Sequence, residues 1–332
     1  MHDHGGGVRS LRVPIPDNPL GHTLVYVVDT DRGPVLIDTG WDDPESWDTL
    51  ADGLTACGTS VAEIHGVVIT HHHPDHHGLS GRVREASGAW IAMHAADTAV
   101  VRRTRQARPE RWFSYMTAKL TAAGAPEEHI APLRTPRPRA LPGLSPALPD
   151  RDIVPGELLD LAGRRLRAIW TPGHTPGHVC LHLEETHPTR LPGHGRLFSG
   201  DHLLPGITPH IGLYEDPDDA TVTDPLGDYL DSLERVGRLA PAEVLPAHQH
   251  PFPTPPPVCA SCSPTTRPAS PPCGPSSPSR SRPGSSPNAW SGTAPGSRSR
   301  TAPGTSRSRR PRPICAAWSS WAGRRRCRGA NR

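Results

Sequence analysis

Five histidines and an aspartate crowd into the stretch Ile69-Thr70-His71-His72-His73-Pro74-Asp75-His76-His77-Gly78. Within it His71, His73, Asp75 and His76 spell H-x-H-x-D-H, four metal-ligating side chains in one short segment. Imidazole suits zinc, iron and similar borderline ions, and a carboxylate adds a harder oxygen donor. With 20 histidines in 332 residues, a chance cluster on a solvated loop is the competing reading. The two readings separate if other strands also end in ligand candidates. Asp38, His174, Asp201 and His248 each stand just past an apolar run, in Leu36-Ile37-Asp38, Trp170-Thr171-Pro172-Gly173-His174, Ser199-Gly200-Asp201 and Leu245-Pro246-Ala247-His248. In layered α/β proteins the loops at the carboxyl ends of strands converge on one edge, where functional groups gather.

The elements that must position these residues follow from pattern. Leu24–Val28 and Val35–Ile37 are expected as a hairpin around Asp29–Gly33. Asp43-Pro44 opens a helix whose apolar face is Trp47, Leu50 and Leu54. Gly66–Ile69 and Ala89–Met93 are wholly apolar and so are expected as strands covered on both faces. A helix over Leu79–Ala86 lies between them, and helical sequence runs over Ala95–Ala123 with a break near Pro109. Prolines crowd Pro132–Pro155, which reads as an irregular connection. Leu158–Trp170 reads as strand, Gly163 turn and strand. Val179–Leu183 and Arg196–Ser199 form another pair, Pro225–Leu239 is an amphipathic helix, and Val244-Leu245 is the last strand. Strand, Thr and a Gly/Pro/His loop recur after Ile69 and after Trp170, which hints at a duplicated unit.

These residues in this order resemble the metallo-β-lactamase fold superfamily over roughly Leu11–Phe252. The resemblance implies an α/β architecture, a four-layer αβ/βα sandwich. Two mixed sheets would lie face to face, with helices on the outer faces and metal ions in a cleft at one edge. Residue by residue, it implies that His71, His73 and His174 hold one ion, that Asp75, His76 and His248 hold another, and that Asp201 bridges them. Asp38 would support the site from behind the ligands. Two Zn2+ are the implied cofactors, with Fe or Mn as alternatives. Zinc lowers the pKa of a bound water to about 7, and Asp75 would orient that nucleophile and relay a proton. His178 and His202 are expected to orient ligands through hydrogen bonds, and His72 and His77 to face outward or support. Gly173 and Gly177 would permit tight turns. His210 and Tyr214 could donate to an oxyanion or serve ordinary loop roles. His250 competes with His248, which fits the family's last motif better.

The Thr-Pro-Gly-His-Thr-Pro-Gly-His loop (171–178) and Gly-Asp-His-Leu-Leu-Pro (200–205) look most like the hydroxyacylglutathione-hydrolase and β-lactamase-like 2 branches. These imply hydrolysis of a thioester or ester in a small-molecule substrate. A lactonase or a nuclease on the same metal centre, or a mononuclear iron persulfide dioxygenase, are the alternatives. No Gly-x-Ser-x-Gly elbow occurs, which counts against a serine hydrolase.

Charge is split along the chain. Thr254–Arg332 carries 14 arginines and no Lys, Asp or Glu, whereas residues 1–253 carry 22 basic against 33 acidic side chains, a net of −11. The acidic body argues against nucleic-acid binding by the body. Five of the seven cysteines lie in the tail, leaving Cys57 and Cys180 in the body and no disulfide framework. No apolar stretch is long enough to span a bilayer, and Met1–Gly7 has no apolar signal core; a cytoplasmic protein with a floppy start is expected. We therefore expect a metallo-β-lactamase-like domain over 1–253 and a disordered Pro/Ser/Arg-rich tail over 254–332. Its abrupt loss of acids in a GC-rich-codon residue set fits an out-of-frame reading of the gene; a genuine basic tail is the alternative.

Overall fold

The computed structural model describes residues 1–106, 109–134, 146–191, 193–212 and 223–254. The expected disordered tail lies outside the described residues, as does Tyr214. The first half of the chain lays down β1 (His2–Asp3), β2 (Val8–Pro14), β3 (His22–Val28), β4 (Val35–Ile37), β5 (Gly66–Val68), β6 (Trp90–His94) and β7 (Arg151–Ile153) in that spatial order. Strands β1 to β4 pair antiparallel and β4 to β7 parallel. The second half contributes β8 (Leu166–Trp170), β9 (Val179–Leu183), β10 (Arg196–Gly200), β11 (Glu243–Pro246) and β12 (Phe252–Pro253), paired in the order β12-β11-β10-β9-β8. Only the β10–β11 pair is parallel there.

The inner faces of the two sheets meet in one apolar layer, where Leu24, Tyr26, Val28 and Ile37 pack with Leu166, Val179, Leu181 and Phe198. Alternate residues of the same strands, Val25, Val27, Leu36 and Ile91, face the other way. They pack under Leu50 and Leu54 of α1 (Pro44–Ala56), Val83 of α3 (Ser80–Ser87) and Val101 of α4 (Ala95–Gln106). A smaller outer core of Ile169, Cys180 and Leu197 is covered by Val236 of α7 (Pro225–Gly237). Burial on both faces is why these strands read as unbroken apolar runs. The result is the expected four-layer αβ/βα sandwich of two mixed sheets. The hydroxyl of buried Tyr26 donates to Pro246 O at 2.7 Å, and Leu24 N to Ala247 O at 2.7 Å, tying the sheets together beside His248.

Several expectations need correction. The chain does not start floppy: β1 pairs with β2, His4 hydrogen-bonds Ser10, and the buried Arg196 guanidinium donates to the carbonyls of His4 and Gly5. The Pro132–Pro155 stretch is not wholly irregular. A short helix α6 (Glu127–Arg134) runs through Pro132, and β7 adds a seventh strand. Pro132 lies past the first turn and has no N–H to give the Glu128 carbonyl, while the Glu127-Glu128 start is an N-terminal helix signal in the sequence. Residues 135–145 lie outside the described set. The first strand expected within Leu158–Trp170 is reduced to one bridge, Leu158 to Arg167. The helical stretch after His94 follows expectation: it is two helices, α4 and α5 (Pro109–Ala122), broken where Pro109 opens the second.

Candidate metal centre

Every ligand candidate leaves a strand at the same edge of the sandwich. The loop after β5 carries His71 and His73 into a single turn, α2 (Pro74–His77), which Pro74 starts and His73 caps. His174 follows β8, Asp201 follows β10 and His248 follows β11. A register shift between Phe198 and Gly200 against β11 aims Asp201. Gly200 there has φ of +50°, and a Cβ would come within 2.6 Å of His178 Nε2, so the turn needs glycine.

Three imidazole nitrogens converge. His71 Nε2 lies 3.0 Å from His73 Nδ1 and 3.2 Å from His174 Nε2, and the last two are 2.9 Å apart. A tetrahedral zinc with bonds of about 2.0–2.1 Å separates its ligand atoms by roughly 3.3 Å, so the trio has the spacing of one ion's face. Beside it, Asp75 Oδ2 lies 3.5 Å from His76 Nε2 and 3.3 Å from His248 Nε2. Asp201 Oδ1 completes this second set at 3.5 and 3.2 Å from the same two nitrogens. Asp201 Oδ2 turns the other way, 3.4 Å from His174 Nε2. One carboxylate therefore faces both sets. His76 Nε2, His248 Nε2 and Asp201 Oδ1 are buried without a hydrogen-bond partner, as expected of atoms whose partner is a cation.

The far sides of the rings are held. Asp38 Oδ2 accepts from His76 Nδ1 at 2.8 Å, while Asp38 Oδ1 accepts Thr70 N at 2.8 Å. Asp38 takes φ of +60°, a left-handed conformation that aspartate tolerates better than most residues. His174 Nδ1 donates to His210 O at 2.6 Å and His248 Nδ1 to His22 O at 3.0 Å, leaving each Nε2 lone pair for the centre. His178 Nε2 accepts the Asp201 N–H at 3.2 Å, and its Nδ1 pairs with Thr171 Oγ1 at 2.8 Å.

The charges match a cation site. Burial opposes charge on His248, but the carboxylates of Asp201 and Asp75 close beside it push its pKa up to about 11. His76 is likewise raised, to about 9, by Asp75, Asp201 and Asp38 against the cost of burial. Burial also works against Asp201 and Asp75, yet the neighbouring His76 and His248 hold both carboxyls below their ordinary range. In the trio, burial and then mutual repulsion lower His71, and His73 falls to about 3. Those imidazoles present free lone pairs, which metal binding requires.

The remaining sequence candidates sort clearly. His210 contributes its backbone carbonyl, and its ring is exposed. His250 is exposed, while His248 is fully buried in the centre. His77 does not face outward: it is fully buried. His202 is buried against Tyr229, 5.1 Å between ring centroids, and neither ring nitrogen has a hydrogen-bond partner, so it orients no ligand. Gly173 has φ of +134° and lies against the α7 backbone at Tyr229. Gly177 has ordinary φ and serves a different end: a Cβ would lie 2.5 Å from Asp97 N. Asp97 itself escaped sequence reasoning, because a lone aspartate in a helix's first turn carries no motif. Its buried carboxylate accepts His72 N, Thr175 Oγ1 and Gly177 N. Burial opposes its charge, but His72 and these donors hold its pKa down to about 2.

The sequence model of the metallo-β-lactamase superfamily matches residues 18–248. This chain belongs to that superfamily. It is therefore a hydrolase of the metallo-β-lactamase fold. It is 28% identical over 249 residues to the probable metallo-hydrolase YqjP of Bacillus subtilis (strain 168), covering 74% of this chain and 72% of that one. A metallo-β-lactamase family protein from Thermus thermophilus superposes with a TM-score of 0.60 at 31% identity, over 74% of this chain and 75% of the other. The hydroxyacylglutathione hydrolase of Rhodobacter capsulatus is 28% identical over 142 residues, 43% of this chain and 35% of that protein. Three groups in the cluster, His71/His73/His174, His71/His76/Asp201 and Asp75/His76/His248, could each hold a metal ion by composition and spacing. No helix among the described residues is long and apolar enough to cross a membrane.

Proposed function

We propose that this chain is a dizinc hydrolase of thioesters or ester-type carbonyls, similar in chemistry to the hydroxyacylglutathione hydrolase it partly resembles. His71, His73 and His174 would hold one ion, Asp75, His76 and His248 the other, and Asp201 both. The observation that supports this reading is Asp201, whose two oxygens face the two proposed ligand sets, one toward His174 and one toward His248. Five imidazoles and two carboxylates suit zinc, with iron or manganese as competitors. Bound in this way, paired zinc ions supply a water of lowered pKa and polarise a carbonyl oxygen. The chain's own residues do the rest. Asp75, held ionised beside His76 and His248, accepts the proton of the attacking water on its carboxylate and returns it to the leaving sulfur or oxygen. Asp38, His22 O and His210 O keep the imidazoles turned so that their lone pairs stay on the site. The catalytic domain is placed within residues 1–253, and all seven proposed ligands precede Thr254. The free Cys57 and Cys180 support a cytoplasmic setting.

The test is metal analysis of purified protein with a panel of glutathione thioesters, lactones and phosphodiesters. Two zinc ions per chain and turnover concentrated in the thioesters or simple esters are expected. A single iron per chain, or hydrolysis confined to phosphodiesters, would defeat the proposal.

A further inference from the structure

The two loops that form the imidazole trio come from different sheets: His71 and His73 follow β5 of the seven-stranded sheet, and His174 follows β8 of the five-stranded one. Their nitrogens nevertheless sit within 3.2 Å of one another. Covalent connection does not secure that spacing, because about a hundred residues separate the loops. One side chain bridges them directly. Asp97, fully buried in the first turn of α4, accepts His72 N on Oδ2 at 2.9 Å and Thr175 Oγ1 on the same oxygen at 2.8 Å. Its Oδ1 accepts Gly177 N at 2.6 Å, and His72 Nδ1 lies 3.1 Å from Oδ2. His72 stands between His71 and His73, and Thr175 directly follows His174. Glycine at 177 leaves the room this approach needs, since a Cβ would come 2.7 Å from Asp97 Oδ1. Beside it, His94 at the end of β6 stacks on Trp170 at the end of β8, centroids 5.3 Å apart and planes 6° from parallel.

We propose that Asp97 is a positioning residue, a latch that joins the His71–His73 loop to the His174 loop and so sets the affinity of the first metal position. This rests on reading His71, His73 and His174 as ligands. The latch does not reach the second position, whose nearest supports are Asp38 and His22 O. Its removal therefore weakens one ion selectively. Groups behind metal ligands typically change affinity by about 10–100-fold when lost. An asparagine at 97 must turn its amide group toward an N–H or O–H donor, because both carboxylate oxygens are accepting. Thr175→Val is the milder variant, removing one donor and leaving three contacts to the carboxylate.

The experiment is a Zn2+ titration against a competing chelator that resolves two affinities, run on wild type, Asp97→Asn, Thr175→Val and Thr175→Ser, with melting of each metal-free protein. In Asp97→Asn one affinity is expected to fall about tenfold or more while the other stays within about threefold. Thr175→Val should show a smaller loss at the same position, and Thr175→Ser, which keeps the hydroxyl, should restore it. Two unchanged affinities in both Asp97→Asn and Thr175→Val would overturn the latch and leave the dimetal centre standing. Affinities falling in parallel with metal-free melting temperature would also overturn it, since that marks a general packing role. Wild-type protein that takes up no Zn2+ would overturn the centre and the latch together.

Discussion

Replacing Asp38 by asparagine tests the support of the second ligand set without changing side-chain shape. Asp38 divides its oxygens: Oδ1 accepts the buried Thr70 N–H at 2.8 Å and Oδ2 accepts His76 Nδ1 at 2.8 Å. Asparagine has one acceptor oxygen for these two donors. If it keeps Thr70, its amide faces His76 Nδ1, and the ring is pushed to the tautomer that carries its proton on Nε2. That nitrogen is the one facing Asp75 and Asp201, and a protonated nitrogen cannot ligate. If the oxygen turns to His76 instead, the Thr70 N–H is left unpaired. A hydrogen bond to a charged group contributes about 1.5–3 kcal/mol, and about 1.4 kcal/mol is a factor of ten in affinity. We expect one Zn2+ affinity to fall about 10–100-fold in Asp38→Asn, with the far-UV spectrum preserved. Asparagine accepts the left-handed φ of +60°, so the backbone is not the cause of any loss. Asp38→Ala should be worse: it orphans Thr70 N and places alanine at positive φ, adding about 1–3 kcal/mol to the loss of stability. Chelator competition for the ions and urea denaturation for stability read both effects. Retention of both affinities within threefold in Asp38→Asn would refute this account of the hydrogen-bond shell.

Four further outcomes follow from the same geometry. Asp75→Ala should abolish turnover while leaving far-UV signal and folding cooperativity near wild type; normal turnover removes Asp75 from the chemistry. At Gly200, alanine would meet His178 Nε2 at 2.6 Å with φ of +50°, so Gly200→Ala should lose about 2–4 kcal/mol in thermal or urea unfolding. His4 is half-buried, and burial, then His2 and Arg196, lower its pKa from 6.5 to about 4. Between those values the unfolded chain takes up a proton that the folded chain does not, so stability falls as pH drops from 6.5 to 4. Hydrogen exchange should show β1 losing protection across that window, and a pH-independent β1 would contradict the assignment. A chain ending at Thr254 should keep both Zn2+ affinities and full turnover, since every proposed ligand precedes that residue; loss of either would assign a role to the tail.

What could be read from the sequence, and what could not, divides by physical origin. Long-range burial on both faces writes itself as apolar runs, so β3, β4, β5, β6 and β9 were legible, and the ligand candidates could be placed at their ends. Short edge elements were not. Three-residue β7 buries only Ile153, and two-residue β1 buries nothing, so neither carries a period. The H-x-H-x-D-H stretch announced itself because the proposed ligands are side chains. His248 and His174 are instead held by main-chain groups, His22 O and His210 O, and any residue type can offer a carbonyl. Asp97 is the intermediate case, a side chain whose meaning lies wholly in what the fold brings to it.

The fold and the chemistry are linked by where the ligands originate. His71, His73, Asp75 and His76 arrive from one sheet and His174, Asp201 and His248 from the other. Neither sheet supplies a complete proposed set, so the proposed centre can form only when the two inner faces pack. The link runs in both directions. Burying Leu24, Tyr26, Leu181 and Phe198 between the sheets also buries the His71, His73 and His174 imidazoles, which repel one another's charge, and the Asp201 carboxylate, whose charge burial opposes although His76 and His248 favour it. Cations held by the proposed ligands would relieve that cost only in the folded state, which would couple metal binding to sheet packing. Chelation should therefore lower the melting temperature of the whole sandwich, not just empty its edge. The effect should be smaller in His174→Ala, which has already lost a donor from the second sheet. Equal melting with and without a chelator would break the link between the packed core and the centre it carries.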